Sequence, residues 1–234
     1  MLKMTDITII NFDLPLKQTE VQKFRGGLLA LLGASAHPLM HNHTSDGLRF
    51  SYPLIQYKPI DGHAAIIGIG EGSILLRNLF KADIPFKIKL GKKVFNTQLT
   101  SMKTIEYEPV IEDEPKFYHI TNYLPLTDEN VKEYDSYLAL TDKICLLEKI
   151  LVANILSFFK GISYHSEEKI ECVVSSIDHL GFFKYKGVNF RAFDMHFVSN
   201  VVLPNYIGLG KSTSIGMGTI IKEQLPEKFN SYIK

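Results

Sequence analysis

The sequence predicts an α+β protein made of two successive ferredoxin-like (RRM-like) domains, the second of them degenerate or elaborated. In the first half, the segments follow the order β-α-β-β-α-β, which is that of a ferredoxin-like unit. An acidic stretch punctuated by prolines, PVIEDEPKF, follows as a linker. The second half again has strand-like segments, arranged around one long helical segment. We therefore expect an N-terminal domain over residues 1–108, a linker over 109–117 and a C-terminal domain over 118–234.

The elements of the first half follow from short periodic runs. ITIINF is a β-rich first strand, and in KQTEVQKFRGGLLALLG the apolar residues recur at helical spacing until Gly33. PLIQYK and HAAIIGIG flank the turn sequence PIDG, which predicts a hairpin. EGSILLRNLF predicts a short amphipathic helix, and PFKIKLGKKVFNTQL predicts further strands around a Gly91-Lys92 turn.

The second half depends on TDKICLLEKILVANILSFFKG, which predicts its main helix. We expect Thr141 or Asp142 to cap the N-terminus of this helix and Gly161 to close its end. One apolar stripe should be buried: Ile144, Leu147, Leu151, Ile155 and Phe158. KIECVVSSI and FFKYKGVNFRAFDMHFVSN predict strands, the latter a hairpin that turns near Lys186-Gly187, and a last strand covers 219–222. No clear second helix separates these strands.

Composition narrows the class of protein. The chain has 234 residues, of which 45% are apolar and 22% charged, as in an ordinary globular protein. Its formal net charge of +1 means that no overall field attracts nucleic acid, so any polyanion site must be a local patch. Cys145 and Cys172 are too few for a disulfide framework or a cysteine zinc site, and we expect both to be buried free thiols.

The sequence also bears on localisation. No basic segment followed by an apolar core opens the chain, so no signal peptide is predicted. The most apolar stretch, ICLLEKILVANILSFF, is too short and too polar to span a membrane. These observations predict a cytoplasmic protein without a membrane partner.

Four glycines fall within NYIGLGKSTSIGMGTI, which invites comparison with nucleotide-binding loops. A Walker A loop needs glycine five residues before its Gly-Lys pair, where this chain has Asn205. A dinucleotide fingerprint that starts at Gly208 needs glycine at position 213, which is threonine. Two Gly-x-Gly pairs around KSTS remain. They fit either a backbone that binds an anion through exposed amides and Lys211, or a wide loop whose glycines serve packing.

His41 and His43 are separated by one residue, so in extended backbone they lie on the same side. Histidine accepts and donates protons near neutral pH, as cleavage of RNA through its own 2′-hydroxyl requires. The alternatives are a polar surface loop, or half of a metal site completed by His37 or Asp46. We expect the remaining histidines to be scattered, separate residues: His63, His119, His165, His179 and His196.

Three segments together resemble the CRISPR-associated endoribonucleases that cut repeat RNA into guide units, in particular their type I-B branch within the RAMP superfamily. The segments are FDLPLKQTEVQKFRGGLLALLG, HNHTSDGLRFSYPLIQYKPIDGHAAIIGIGEG and LPNYIGLGKSTSIGMGTI. The resemblance spans residues 5–222, with little to match between residues 95 and 140.

The resemblance implies two ferredoxin-like domains and RNA cleavage without a metal or other cofactor, leaving 5′-hydroxyl and 2′,3′-cyclic phosphate ends. It implies that His41 and His43 are catalytic, with Tyr52 as the downstream tyrosine of the family. It also implies that the glycine-rich loop contacts the RNA backbone. The loop residues concerned are Gly208, Gly210, Lys211, Ser212, Gly216 and Gly218.

The near-neutral chain departs from the basic character typical of RNA-binding proteins, so clusters must supply further phosphate contacts. The candidate clusters are Lys87, Lys89, Lys92 and Lys93 in the first half, and Lys184, Lys186 and Arg191 in the second. Aromatic residues alternate with these lysines and are expected to face the core: Phe86, Phe95, Phe183, Tyr185 and Phe190.

Three functions are compared. The first is a metal-independent endoribonuclease that cleaves CRISPR repeat RNA precursor into guide RNAs; its partners would be that RNA and other CRISPR effector subunits, as a monomer or homodimer. The second is a catalytically silent RNA-binding or scaffold subunit of an effector complex, which would not need the histidine pair. The third is a metal-dependent hydrolase that uses His37, His41 and His43 and loses activity in a chelator.

Overall fold

The computed structural model of the chain describes residues 4–33, 37–41, 43–44, 47–48, 52–80, 85–185 and 187–226. The chain divides into two compact units. The first consists of Met1–Glu108 together with Thr213–Gly216, and the second of Pro109–Ser212 together with Met217–Lys234. Each unit has its own four-stranded sheet.

The first unit contains eight strands and three α-helices among its described residues. In chain order they are β1 (Thr5–Pro15), α1 (Val21–Leu32), α2 (Pro38–His41), β2 (His43–Thr44), β3 (Gly47–Leu48), β4 (Ile55–Ile60), β5 (His63–Ile69), α3 (Glu71–Leu79), β6 (Phe86–Leu90), β7 (Lys93–Thr97) and β8 (Leu99–Tyr107). The main sheet is antiparallel with the order β4-β5-β1-β8. The pairs β2-β3 and β6-β7 form separate two-stranded sheets.

The core of the first unit lies where α1 and α3 cover this sheet. Helix α1 buries Val21, Phe24 and Leu28, three residues at the predicted helical spacing. The rings of Phe12 and Phe24 meet edge to face at 5.8 Å between centroids. The hydrophobic period of α1 thus indicated the face that packs.

The fourth strand of the first sheet differs from the expectation. The sequence suggested that the segment around Gly91-Lys92 supplies the fourth strand of the main sheet. That segment is the separate β6-β7 hairpin, and β8 is the strand that pairs with β1. Strand β8 is an edge strand whose residues are mostly exposed or half-buried. It therefore carries little of the apolar alternation by which strands are recognised in a sequence.

The second unit contains four strands and two α-helices among its described residues. They are β9 (Val110–Tyr123), α4 (Asp128–Ser136), α5 (Leu140–Gly161), β10 (Cys172–Tyr185), β11 (Val188–Val202) and β12 (Thr219–Glu223). The sheet order is β10-β11-β9-β12. In both units the strands lie in the order second-third-first-fourth, with the first strand internal, so the predicted tandem ferredoxin-like architecture is confirmed.

The second unit is the elaborated one. Two helices precede its second strand, and α4 was not predicted; Thr127 caps α4 by accepting a hydrogen bond from the Asn130 amide at 3.1 Å. Between β11 and β12, where a ferredoxin-like unit has its second helix, the described chain forms a 3-10 turn at Thr213–Ile215. The glycine-rich segment replaces that helix.

Helix α5 supplies the core of the second unit. Leu147, Leu151, Ile155 and Phe158 are fully buried as predicted, whereas Ile144 is half-buried. The predicted N-terminal cap, Thr141 or Asp142, is wrong. The helix starts at Leu140, and its cap position is Ala139, which has no side-chain oxygen to accept a hydrogen bond from the first backbone amides. Of the two free cysteines, only Cys172 is buried, and Cys145 is exposed on α5.

The segment expected to be a linker forms the start of β9. Val110 and Ile111 pair with Val202 and Val201 of β11. The acidic charge that suggested a linker is partly neutralised within the strand, because Lys116 forms ion pairs with Glu112 at 2.6 Å and Glu114 at 2.7 Å.

Candidate functional site

The histidine pair lies at a junction between two short elements. His41 is the last residue of α2, and His43 begins β2, where it pairs with Leu48 of β3. For these two histidines the structure describes only the backbone, and Asn42 and Asp46 lie outside the described residues. The segment is not one extended run as expected, because Pro38 opens a helical turn directly before the pair.

One buried contact anchors this segment. Met40, which directly precedes the pair, is 1% exposed, and its carbonyl accepts a hydrogen bond from the hydroxyl of buried Tyr57 at 3.3 Å. Tyr57 belongs to β4, so the main sheet of the first unit positions the backbone of His41. His37, the suggested third metal ligand, uses its Nδ1 to accept the Leu39 amide at 3.3 Å.

Tyr52 lies at one end of a chain of buried polar groups. Its ring is 7% exposed, and its hydroxyl accepts a hydrogen bond from Gln56 Nε2 at 2.9 Å. Gln56 Oε1 in turn accepts from Lys58 Nζ at 2.9 Å, and both Gln56 and Lys58 are fully buried. The hydroxyl of Tyr52 is therefore oriented by an amide whose own orientation is set by an ammonium or amine group.

Lys58 is a polar residue of this site that sequence reasoning missed. Burial disfavours the charged form of the ammonium and lowers the pKa of Lys58 to about 7. A group with that pKa changes its protonation state near neutral pH, where RNA chemistry operates. The signal in the sequence was a lysine inside the strand IQYKPI, which is otherwise suited to burial.

The glycine-rich segment forms a compact loop whose amides bond largely within the protein. A bridge between Gly208 and Thr219 closes it, and the Leu209 amide donates to the Gly218 carbonyl at 2.9 Å. The Gly218 amide donates to the Asn122 carbonyl at 3.0 Å, and the Lys211 amide to the Leu124 carbonyl at 3.1 Å. The amides of Leu209, Lys211 and Gly218 are therefore satisfied within the protein and are not available to phosphate.

Two of the glycines are required by packing. Gly210 has φ +88°, and an added Cβ would lie 2.8 Å from the Tyr123 ring. Gly218 has φ +63°, and an added Cβ would lie 1.8 Å from the Leu209 carbonyl oxygen. Such positions admit only glycine. Gly208 and Gly216 are buried as well, so the accessible part of the loop consists of Gly210, Lys211, Ser212 and Ser214.

Lys211 lies at the end of the β10-β11 hairpin. Its Nζ is 5.4 Å from the centroid of the Phe190 ring, a cation–π contact. Phe190 pairs with Phe183, and the next residue on β10, Lys184, is exposed. Because neighbouring residues of a strand point to opposite faces, Lys184 lies on the face of the hairpin opposite to Phe183 and Phe190, and Lys186 lies outside the described residues.

The remaining basic candidates differ in availability. Arg191 forms a bidentate ion pair with Asp135, at 2.5 and 2.9 Å, so its charge is already matched. The lysines of the β6-β7 hairpin are all exposed: Lys87, Lys89, Lys92 and Lys93. Their aromatic neighbours Phe86 and Phe95 are half-buried, and Phe86 faces the core as expected, since its ring meets that of buried Phe12 edge to face at 6.0 Å.

The hairpin also carries an exposed aromatic ring that sequence reasoning did not single out. Phe182, two residues before Lys184, is 74% exposed. An exposed ring beside a lysine suits stacking on an unpaired base. Phe182 is followed by another phenylalanine, so the sequence did not show which of the two rings is exposed.

The histidines of the second unit are not all separate, contrary to the expectation. His119 and His196 stack with 4.4 Å between ring centroids and an interplanar angle of 12°. They lie opposite each other on β9 and β11, which are far apart in the sequence.

No helix in the described part of the chain is long and apolar enough to cross a membrane.

Comparison with known proteins gives a consistent result for both units. Sequence models of the Cas6b N-terminal domain and the Cas6b C-terminal domain match residues 1–108 and 110–223. An uncharacterized protein of Methanocaldococcus jannaschii is 38% identical over 113 residues, which cover 48% of this chain and 76% of that protein.

Solved structures resemble the fold over nearly its whole length. A crystal structure of Cas6b has a TM-score of 0.77 at 25% identity, covering 93% of this chain and all of that one. A structure described as the CRISPR RNA processing endoribonuclease Cas6b has a TM-score of 0.69 at 24% identity, with the same coverage. With both of its domains matched, the chain belongs to the Cas6b family of CRISPR-associated proteins, as its sequence motifs had suggested.

Proposed function

We propose that this protein is an endoribonuclease that cleaves CRISPR repeat RNA precursor into guide RNAs. The observation that carries the proposal is the match of both Cas6b domains over almost the entire chain. One structural neighbour bears the description of a CRISPR RNA processing endoribonuclease, which is consistent with this activity. The RNA is the expected partner, together with other CRISPR effector subunits.

The reaction that the candidate residues support is transesterification within the RNA. One of His41 and His43 accepts the proton of the 2′-hydroxyl, whose oxygen then attacks the adjacent phosphorus. The other donates a proton to the departing 5′-oxygen, so the products are a 2′,3′-cyclic phosphate and a 5′-hydroxyl. General acid–base help of this kind contributes about 10²–10⁴ in rate, and no metal takes part.

Phosphate binding is assigned to side chains of the second unit. Lys211 and Ser212 are partly exposed polar residues of the glycine-rich loop, and exposed Lys184 lies on the β10-β11 hairpin. The buried glycines, Gly208, Gly216 and Gly218, contribute by shaping the loop and not by direct contact. Lys186 completes the proposed set on sequence grounds.

Tyr52 is proposed as a third residue of the catalytic set. Because its ring is buried and its hydroxyl is held by Gln56, the packing and the chemistry of this residue must be tested separately. Tyr52→Phe keeps the ring and removes the hydroxyl, so a loss of rate without a loss of folding supports a chemical contribution.

The test is cleavage of the repeat RNA from the host's own CRISPR array in excess EDTA. Wild type should cut normal RNA and leave RNA with a 2′-deoxy residue before the scissile phosphate intact. His41→Ala/His43→Ala should bind the RNA with unchanged affinity and cut at least about 10²-fold more slowly. His165→Ala, which alters an exposed histidine elsewhere, is the matched control.

Two other outcomes would redirect the assignment. Equal RNA binding by wild type and the double variant, with no cut product from either, points to a silent RNA-binding or scaffold subunit. Cleavage that stops in EDTA and returns with a divalent metal points to a metal-dependent hydrolase.

A further inference from the structure

Four ionisable side chains form a row across the sheet of the second unit, one from each strand. Asp178 comes from β10, His196 from β11, His119 from β9 and Glu223 from β12. His196 and His119 are direct partners in the antiparallel register. Glu223 pairs with Phe117, which is two residues from His119 and on the same side of its strand.

The row lies on the face of the sheet away from the core. Met195 and Phe197, on either side of His196, are fully buried, so the His196 side chain points to the other face. The side chains of His119 and His196 are 26% and 22% exposed, and that of Asp178 is 42% exposed. A small solute can therefore reach all three.

A bulge in β10 directs Asp178 towards the histidines. The register shifts between Ile177 and His179, which leaves Asp178 as the extra residue of the strand. Asp178 Oδ2 lies 2.6 Å from His196 Nδ1. Ser176, the register partner of His196, donates a hydrogen bond to Asp178 Oδ1 at 2.9 Å. Bulges of this kind commonly re-aim a side chain at a functional site.

We propose that His119, Asp178 and His196 form a binding site for a divalent transition-metal ion, with Zn²⁺ as the best match. One ligand atom from each of the three lies within 4.8 Å of the others. Two imidazole nitrogens and one carboxylate oxygen are a donor set that Zn²⁺ accepts readily, with a further coordination position left for water or another ligand.

Glu223 completes the arrangement from outside the ligand set. Its Oε2 lies 3.2 Å from His196 Nε2, and its Oε1 lies 3.8 Å from His119 Nδ1. When Nδ1 of His196 binds a metal, Nε2 carries the proton and its N–H donates a hydrogen bond to the Glu223 carboxylate. A carboxylate in this role fixes the tautomer and orientation of a ligating imidazole, and its loss typically weakens metal binding 10–100-fold.

The site is independent of the proposed ribonuclease activity, which needs no metal. It would link all four strands of the sheet, since each strand supplies one member of the row. Cleavage of RNA in EDTA tests the ribonuclease alone, whereas metal binding tests this site alone, so either proposal can fail without the other.

The experiment is titration of chelator-treated, full-length protein with Co²⁺ followed by visible absorption, and with Zn²⁺ in calorimetry. Because His41 and His43 could themselves bind metal, the titration uses wild type and His41→Ala/His43→Ala in parallel. We expect one metal site per chain in wild type. This site should persist in His41→Ala/His43→Ala and should be lost in His119→Ala/His196→Ala. Asp178→Asn, of nearly the same shape, should also bind Zn²⁺ at least tenfold more weakly, and Glu223→Gln 10–100-fold more weakly.

Circular dichroism and thermal unfolding establish that each variant is folded, and His165→Ala is the control for loss of an exposed histidine. Absence of Co²⁺ or Zn²⁺ binding in folded wild type overturns the proposal and leaves an ion-pair network around His196. Binding that survives in His119→Ala/His196→Ala, or that disappears in His41→Ala/His43→Ala, also overturns it.

Discussion

At the scale of single residues, burial decides more than residue type. Lys58 and Lys184 are both lysines on strands, yet one is fully buried beside Gln56 and the other is exposed. Desolvation penalises the charged form of Lys58 and lowers its pKa to about 7. The same side chain therefore titrates near neutral pH where it is buried and can reach a phosphate where it is exposed.

Lys58 makes stability depend on pH in a defined window. Its folded pKa of about 7 lies below the ordinary value near 10.4, so the unfolded chain binds the proton more tightly between these values. Stability should therefore rise with pH from about 7 to about 10.4, with a slope of up to about 1.4 kcal/mol per pH unit from this group.

The measurement is the free energy of unfolding of wild type and Lys58→Met at pH 6, 8 and 9.5. We expect the difference to favour Lys58→Met most at low pH and to shrink as pH rises. The control is Lys103→Met, which removes an exposed lysine of β8. A difference that is constant over this range would show that Lys58 is protonated alike in both states.

At the scale of elements, close approach of backbones sets which glycines matter. Helix α1 contains two adjacent glycines that face different surroundings. A Cβ added at Gly27 would lie 2.3 Å from the Lys89 carbonyl oxygen of β6, whereas one added at Gly26 would meet nothing within 4 Å. The packing of α1 on the β6-β7 hairpin depends on Gly27.

The adjacent glycines provide a matched pair of variants. Gly26→Ala should stabilise the protein by about 0.5–1 kcal/mol, because alanine loses less backbone entropy in a helix. Gly27→Ala should destabilise it by about 1–3 kcal/mol, because the helix must move away from β6. Urea unfolding measures both, and equal effects of the two substitutions would refute the close contact.

At the scale of the whole molecule, charge is balanced and RNA binding must be local. With 26 basic and 25 acidic residues, the chain has no overall attraction for a polyanion. Arg191 is matched by Asp135, so the proposed phosphate contacts of the second unit are the half-buried Lys211 and the exposed Lys184.

This balance predicts a shallow salt dependence of RNA affinity that individual lysines account for. Each phosphate contact contributes about 0.7–0.9 to the slope of log K against log salt. Lys184→Ala and Lys211→Ala should each lower the slope by about that amount. The measurement is RNA affinity by fluorescence anisotropy over a salt range of roughly 50 to 300 mM. Lys103→Ala should leave the slope unchanged, and an unchanged slope in Lys211→Ala would remove the glycine-rich loop from the interface.

The sequence by itself determined the tandem α+β plan, the buried stripe of α5, the hairpins of both halves and the family. These properties are local: they depend on the period of apolar residues, on turn residues and on short motifs such as the His41–His43 pair and GLGKSTSIGMG. The catalytic roles of His41 and His43 are implied by the family resemblance and remain to be tested.

Only the tertiary structure decided which distant residues meet. The stacking of His119 on His196 arises from the register of β9 with β11, and a bulge in β10 brings Asp178 to them. The burial of Lys58 and the internal bonding of the Gly218 amide likewise depend on neighbours remote in the chain. The physical reason is that strand register and burial depend on pairing between distant segments. The local period of a sequence shows which residues share a face, but it does not show which strand pairs with which.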